Sequence, residues 1–267
     1  LALYAQKQKY KHYAPFMKNA YRPKVSRNAG YALHVMTACG AVLGMLGLQA
    51  VYGDQIRAAL LWLIASQILD GLDGPIARKL DVHIHAPKID GHILDLVVDY
   101  VTCVVVPVAF LVHFKMLPVH YETIIAGFIF LFSALWFART DLETDEHWFN
   151  GFPAVWNLAV PTFLVFESTP TQVAIISIIL CISQLTNLKI PHLVRAKELR
   201  FISLPFGVIY IANLVLLSWD YSDLYGLNAN FLTQFILLSF PIYIAIISIW
   251  KTLSPNKALP TWGNKSR

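Results

Sequence analysis

The chain has 267 residues, 57% of them hydrophobic and 14% charged, with a mean hydropathy of +0.54 and a net charge of +5. A soluble globule of this length is rarely so apolar, so the composition excludes an ordinary cytosolic fold and points to a polytopic membrane domain. The excess of bases needs no nucleic acid partner, because the same residues serve as anchors on an anionic lipid leaflet.

Residues 1–27 interleave bases with Tyr4, Tyr10, Tyr13, Phe16 and Tyr21. This pattern suits a segment lying at the membrane interface, and Pro15 and Pro23 limit any continuous helix there. No short apolar run with a small-residue cleavage pattern is present, so a cleaved signal peptide is not expected. Eight apolar segments come after it, at 28–50, 55–77, 91–114, 119–138, 153–167, 171–189, 202–219 and 229–250, each read as a helix because about 20 apolar residues cross a bilayer. The first holds Gly40 and Gly44 in a GxxxG spacing, which lets helices approach closely. The preferred reading is packing against a neighbouring span of the same chain, with a homodimer seam as the alternative. The fifth segment is short and contains Pro161, so a kink is expected. Between segments, 139–152 is an acidic, aromatic loop and 189–201 a basic one. Cys39, Cys103 and Cys181 lie within segments without paired spacing, which gives no disulfide framework and no cysteine metal site.

An even number of spans puts both termini on one side. Nineteen of the 21 Lys and Arg residues then share that side, and only Arg57 and Lys115 oppose them. The positive-inside rule makes the crowded side cytoplasmic. The resulting expectation is a multi-pass membrane protein with both termini and the acidic residues of the second and third segments facing the cytoplasm.

Asp70 and Asp73 lie three residues apart, and Asp95 and Asp99 four apart. On helices each pair shares a face, about 5–6 Å apart at Cβ. Carboxylates at membrane depth are costly and usually mark an ion or substrate site. Four together repel one another unless cations hold them. Hard oxygen donors suit Mg²⁺, Mn²⁺ or Ca²⁺, and carboxylates with phosphate oxygens are a usual Mg²⁺ environment, while Arg78 supplies a fork-shaped phosphate binder. Gly74 and Gly91 leave room for helices or a phosphate to come close. The residues therefore point to a phosphorylated or diphosphate substrate bridged by a divalent ion.

The string Asp70-x-x-Asp73-Gly74-x-x-Ala77-Arg78 followed by Gly91-x-x-x-Asp95-x-x-x-Asp99 resembles the signature of the CDP-alcohol phosphatidyltransferases, integral membrane enzymes with a six-helix core. The usual interval between the Arg and the second Gly is shorter than the twelve residues found here between Arg78 and Gly91. That longer loop and the eight segments are similar to the bacterial phosphatidylcholine-forming branch of the family. So are Thr144-Asp145-Glu146, Gly151-Phe152-Pro153, Val155-Trp156-Asn157 and the string from His192 to Arg200, although Leu193 stands where the pattern has Pro.

The resemblance implies an all-α polytopic fold of about eight transmembrane helices. Residues 1–27 would be the interfacial segment, 28–190 a six-helix catalytic core, 191–251 a basic loop with two further helices, and 252–267 a cytoplasmic tail. It implies transfer of a phosphatidyl group from CDP-diacylglycerol to choline, with CMP released in the presence of Mn²⁺ or Mg²⁺. Asp70, Asp73, Asp95 and Asp99 would hold metal, with Asp99 also the catalytic base. Asp70, Gly74, Ala77, Arg78 and Gly91 would contact the nucleotide. A quaternary ammonium is held by aromatic faces and nearby acids. Tyr100, Trp148, Phe149 and Trp156, with Glu146, are the candidates for choline. Arg195, Lys197 and Arg200 are candidates for lipid phosphate. Serine, glycerol phosphate or inositol phosphate remain alternative acceptors. Two other classes share part of the pattern. Intramembrane prenyl transfer also uses aspartate-rich helices, but its two acidic motifs are expected far apart. A divalent-cation transporter fits carboxylates in spans, but not their crowding at the ends of two.

Overall fold

The computed structural model describes residues 27–221, 230–254, 259 and 261, and only the backbone of Arg27, His83 and Ile84. The interfacial segment expected over 1–27 and most of the tail expected over 252–267 thus lie outside the described residues.

Eight principal helices match the eight apolar segments: α1 Arg27–Tyr52, α2 Ile56–Lys79, a third from Gly91 to His113, α6 Glu122–Phe137, α7 Trp156–Val165, α8 Pro170–Gln184, α9 Arg200–Asp220 and α10 Phe231–Leu253. The third is built of α4 (Gly91–Asp99), a π-helical turn over Tyr100–Val105, and α5 (Val106–His113). A single turn, α3 (Val82–His85), fills the loop before it. By length and composition α1, α4–α5, α9 and α10 are long and apolar enough to cross a membrane, while α6, α7 and α8 are shorter apolar helices. The 24-residue α2 is as long as the spans but carries Arg57, Asp70, Asp73, Arg78 and Lys79. This is the all-α polytopic architecture expected. It is joined by one element that hydropathy does not show: the antiparallel ribbon of β1 (Trp148–Asn150) and β2 (Lys189–Pro191), with Phe149 opposite Ile190.

The α7 helix spans ten residues with Pro161 inside it, about 15 Å at 1.5 Å per residue, which is half a bilayer core. At the end of α8, Arg139 Nη1 donates to the carbonyls of Gln184 and Thr186 at 2.9 and 2.8 Å. It thereby satisfies terminal carbonyls that no helix partner reaches. The helix therefore stops short of the predicted boundary at 189 and the chain enters β2. Gly151, at φ +83°, passes under the same end, where a Cβ would stand 2.5 Å from the carbonyl oxygens of Ser183 and Gln184. Only glycine fits both the dihedral and the space.

The main core gathers Val51, Leu60 and Leu63 with Val104, Phe110, Leu111, Ile129, Trp136, Trp156 and Val173. A second cluster joins Ile64 of α2 and Val165 of α7 to Tyr210, Leu214, Leu237 and Phe240, so α9 and α10 dock on the flank of the first helices. On α1, Cβ atoms added at Gly40, Gly44 and Gly47 would lie 2.5, 2.9 and 2.9 Å from side-chain carbons of Val98, Val101 and Val106. The glycine face that suggested a homodimer seam is thus filled by this chain's own valines. The π turn lies within this contact. Val98, Val101, Thr102 and Val106 face α1, while Asp95 and Asp99 converge on Asp70 of α2.

Candidate active site

Both acidic helices bring their charged turns to the same end of the bundle. The last turns of α2 carry Asp70, Asp73, Gly74, Ala77 and Arg78, and Pro75 is accommodated inside the helix. Pro75 has no N–H to give, which frees the carbonyl four residues earlier, at Gly71. Asp90 caps α4, its carboxylate accepting from His92 N and Ile93 N at 3.1 and 3.2 Å. A negative side chain at that position complements the helix dipole. The cap fixes where α4 begins, and hence which face presents Asp95 and Asp99.

Asp70, Asp95 and Asp99 converge: one carboxylate oxygen from each lies within 4.8 Å of the others. Opposite ligands around Mg²⁺ stand about 4.2 Å apart and around Ca²⁺ about 5 Å, so this all-oxygen trio fits a hard divalent ion. Asp73 takes a different place. Its Oδ2 accepts a 2.7 Å hydrogen bond from Thr37 Oγ1 of α1, and it lines the adjoining cavity together with Asp95. Asp70 Oδ2 accepts from Gln67 Nε2 at 3.0 Å.

The cavity holds about 500 Å³, and Thr37, Gly74, Ala77, Arg78, Gly91 and His34 form part of its wall. Every predicted nucleotide contact except Asp70 is in that wall. The two glycines also make room for neighbouring side chains. A Cβ on Gly74 would stand 3.3 Å from Arg78 Nη1, and one on Gly91 3.1 Å from His34 Cε1. Glycine here makes room for a guanidinium and an imidazole that form the wall. His34 is buried and its Nε2 pairs with the Ala86 carbonyl at 3.3 Å.

The loop candidates are not gathered into one box. Trp148 and Phe149 are successive strand residues and so face opposite ways. Trp148 is buried with the Lys251 ammonium 5.6 Å over its ring, and Lys251 also pairs with Glu146 at 2.9 Å and Glu198 at 3.0 Å. A cation from this chain already occupies the place that Glu146 and Trp148 were expected to offer choline. Phe149 stacks on His192 at 5.1 Å. Trp156 is fully buried, donates to Ser133 Oγ at 3.0 Å and meets Phe152 edge-on. Tyr100 gives its hydroxyl proton to the Phe130 carbonyl at 3.1 Å.

Of the basic candidates, Arg195 Nη1 bonds Glu143 Oε2 at 2.8 Å, and His147 Nδ1 meets Glu143 Oε1 at the same distance. Arg195 and Arg200 lie close enough to Arg78 to act on it electrostatically, as Arg195 does on Asp95. Lys197 is exposed. Burial, followed by the charges of Arg195 and Arg78, pushes the His192 imidazole down to about 4, so it is neutral at physiological pH. Sequence reasoning missed Thr37, Gln67, His34 and Glu143. Gln67 alone carried a signal, standing one turn before Asp70 on the same helix face.

A sequence model of the CDP-alcohol phosphatidyltransferases matches residues 33–206, which takes in both acidic helices, the ribbon and the start of α9. The chain belongs to that family. Among relatives, it is 33% identical over 187 residues to a phosphatidylcholine synthase of Pseudomonas aeruginosa, covering 70% of this chain and 78% of the relative. A phosphatidylcholine synthase of Rhizobium meliloti is 33% identical over 76% of this chain and 80% of its own length. One of Borreliella burgdorferi is 30% identical over 83% and 94% respectively.

Proposed function

We propose that this chain is a phosphatidylcholine synthase, transferring the phosphatidyl group of CDP-diacylglycerol to choline and releasing CMP. The observation that carries the reading is the convergence of Asp70, Asp95 and Asp99 beside a cavity of about 500 Å³ walled by Arg78. Relatives named phosphatidylcholine synthase, matched over most of their length, favour choline among the acceptors. Family membership sets aside prenyl transfer and cation transport.

In this reading the cytidine nucleotide occupies the cavity against Gly74, Ala77 and Gly91, with Arg78 on its phosphate. Asp70, Asp95 and Asp99 would hold Mg²⁺ or Mn²⁺, and Asp73, held by Thr37, would complete the acidic wall toward the diphosphate. When bound, the ion supplies charge neutralisation for the diphosphate. Asp99 accepts the choline hydroxyl proton. The choline oxygen then forms a bond to the lipid-side phosphorus, and the bond from that phosphorus to the bridging oxygen breaks. The electron pair leaves with CMP. No protein nucleophile is needed. Arg195 and Arg200, near enough to Arg78 to act on it electrostatically, are the groups assigned to lipid phosphate. Phe149, stacked on neutral His192, is the aromatic face assigned to the choline headgroup. Residues 28–190 form the catalytic core and α9–α10 its flank, with the site on the cytoplasmic face of a bacterial inner membrane.

Purified protein given CDP-diacylglycerol, a divalent ion and, separately, choline, serine, glycerol phosphate or inositol phosphate tests this. Phosphatidylcholine formed with equimolar CMP, from choline alone, is expected. A different product headgroup would reassign the acceptor.

A further inference from the structure

Outside the carboxylates themselves, the structure holds a buried polar chain that hydropathy and the signature do not explain. Asn157 is the second residue of α7 and is fully buried. Its Nδ2 donates to Gln67 Oε1 at 3.0 Å, and Gln67 Nε2 donates to Asp70 Oδ2 at 3.0 Å. Among the described residues the other Asn157 atom, Oδ1, has no partner. A buried amide with an unmet acceptor costs stability, and an apolar residue of similar size would avoid that cost, so packing does not account for Asn157.

Resting on the reading of Asp70 as a metal ligand, we propose that Asn157 and Gln67 are positioning residues that set the orientation of the Asp70 carboxylate for a divalent ion. The direction of the chain is chemically fixed. An ionised carboxylate only accepts hydrogen bonds, so Gln67 must turn its NH₂ toward Asp70. Its carbonyl oxygen then points away and needs a donor in the interior, which Asn157 provides. Without that donor Gln67 is free to flip and set its oxygen against Asp70. The bond occupies Oδ2 and leaves the second oxygen of Asp70 unengaged by the relay. Asn157 is itself held firmly. The preceding Trp156 is anchored on Ser133, which also receives Gln184 Nε2 at 3.1 Å, so the start of α7 is tied to α6 and α8. Partners behind a metal ligand orient it, and losing one typically weakens metal affinity by about 10–100-fold.

The test reads Mn²⁺ affinity of the detergent-purified full chain, without substrate, by the electron paramagnetic resonance of free Mn²⁺, with thermal unfolding measured in parallel. Gln67→Leu should weaken Mn²⁺ binding by about 10-fold or more. Asn157→Leu removes the donor to Gln67 and leaves its amide free to flip, so it should weaken binding by no more than Gln67→Leu does. The double variant Gln67→Leu/Asn157→Leu should bind Mn²⁺ no worse than Gln67→Leu, because Asn157 acts only through Gln67. Asp95→Asn is the control for the site itself. Loss of Mn²⁺ binding in Asp95→Asn with unchanged affinity in Gln67→Leu and Asn157→Leu would overturn the relay and leave the metal reading standing. Unchanged affinity in Asp95→Asn as well would overturn the metal reading. Additive losses in the double variant would also overturn the relay.

Discussion

The acidic helices and the ribbon face treat charge in opposite ways. On the ribbon side charges are matched inside the protein: Lys251 with Glu146 and Glu198, Arg195 with Glu143, and Arg139 with Asp141 at 2.8 Å. At the ends of α2 and α4, four carboxylates crowd together and receive only two side-chain hydrogen bonds among the described residues, from Thr37 and Gln67. A charge set matched internally serves architecture, whereas one left unmatched in a buried setting marks where a ligand must supply the balance. The contrast supports the helices as the proposed ion site, while the Lys251 ion pairs tie the end of α10 to the loops at 146 and 198.

Asp99→Asn should break the chemistry most sharply. CMP formation is expected to fall by about 10²–10⁴-fold, the usual worth of a positioned base, while CDP-diacylglycerol binding, read by a direct binding assay, is retained. Near-normal turnover would remove Asp99 as the base. Lys251→Met probes the other half of the contrast. It leaves the poorly exposed Glu198 without its cation, which should lower the thermal midpoint by an amount equivalent to about 3 kcal/mol, with Mn²⁺ affinity unchanged. A loss of Mn²⁺ affinity without loss of stability would reverse the roles of the two regions. Arg78→Lys keeps the charge and loses the fork, so the KM for CDP-diacylglycerol should rise by about 10-fold, one charge-assisted hydrogen bond of about 1.4 kcal/mol.

A further effect appears only in acid. His192 is held neutral down to about 4 against an ordinary value of 6.5. Between those values the unfolded chain binds a proton that the folded chain does not, so stability falls as pH drops from 6.5 toward 4 and is untouched above that window. His192→Gln should remove that part of the acid sensitivity of the thermal midpoint. An unchanged pH profile would show that the imidazole is not held neutral.

How much the sequence disclosed depends on the range of its signals. Long apolar runs located the helices closely: 91–114 appears as Gly91–His113 and 202–219 within Arg200–Asp220. Aspartates three and four residues apart disclosed two shared faces because helical spacing is local. Three features depend on contacts between distant segments and have no local pattern. The π turn at Tyr100–Val105 accompanies the fit of valines against the glycines of α1. The ribbon pairs two three-residue strands, too short to show an alternation. The partners of Glu146 and Trp148 lie at Lys251, more than a hundred residues on, so composition alone read them as open to an external cation. The hydrogen bond of Asp73 to Thr37 on another helix was hidden for the same reason.

The dependence of CMP release on a divalent ion tests the central claim most directly. Chelated protein supplied with CDP-diacylglycerol and choline should release no CMP, and adding Mg²⁺ or Mn²⁺ should restore both CMP and phosphatidylcholine. Full CMP release from the chelated protein would contradict the account.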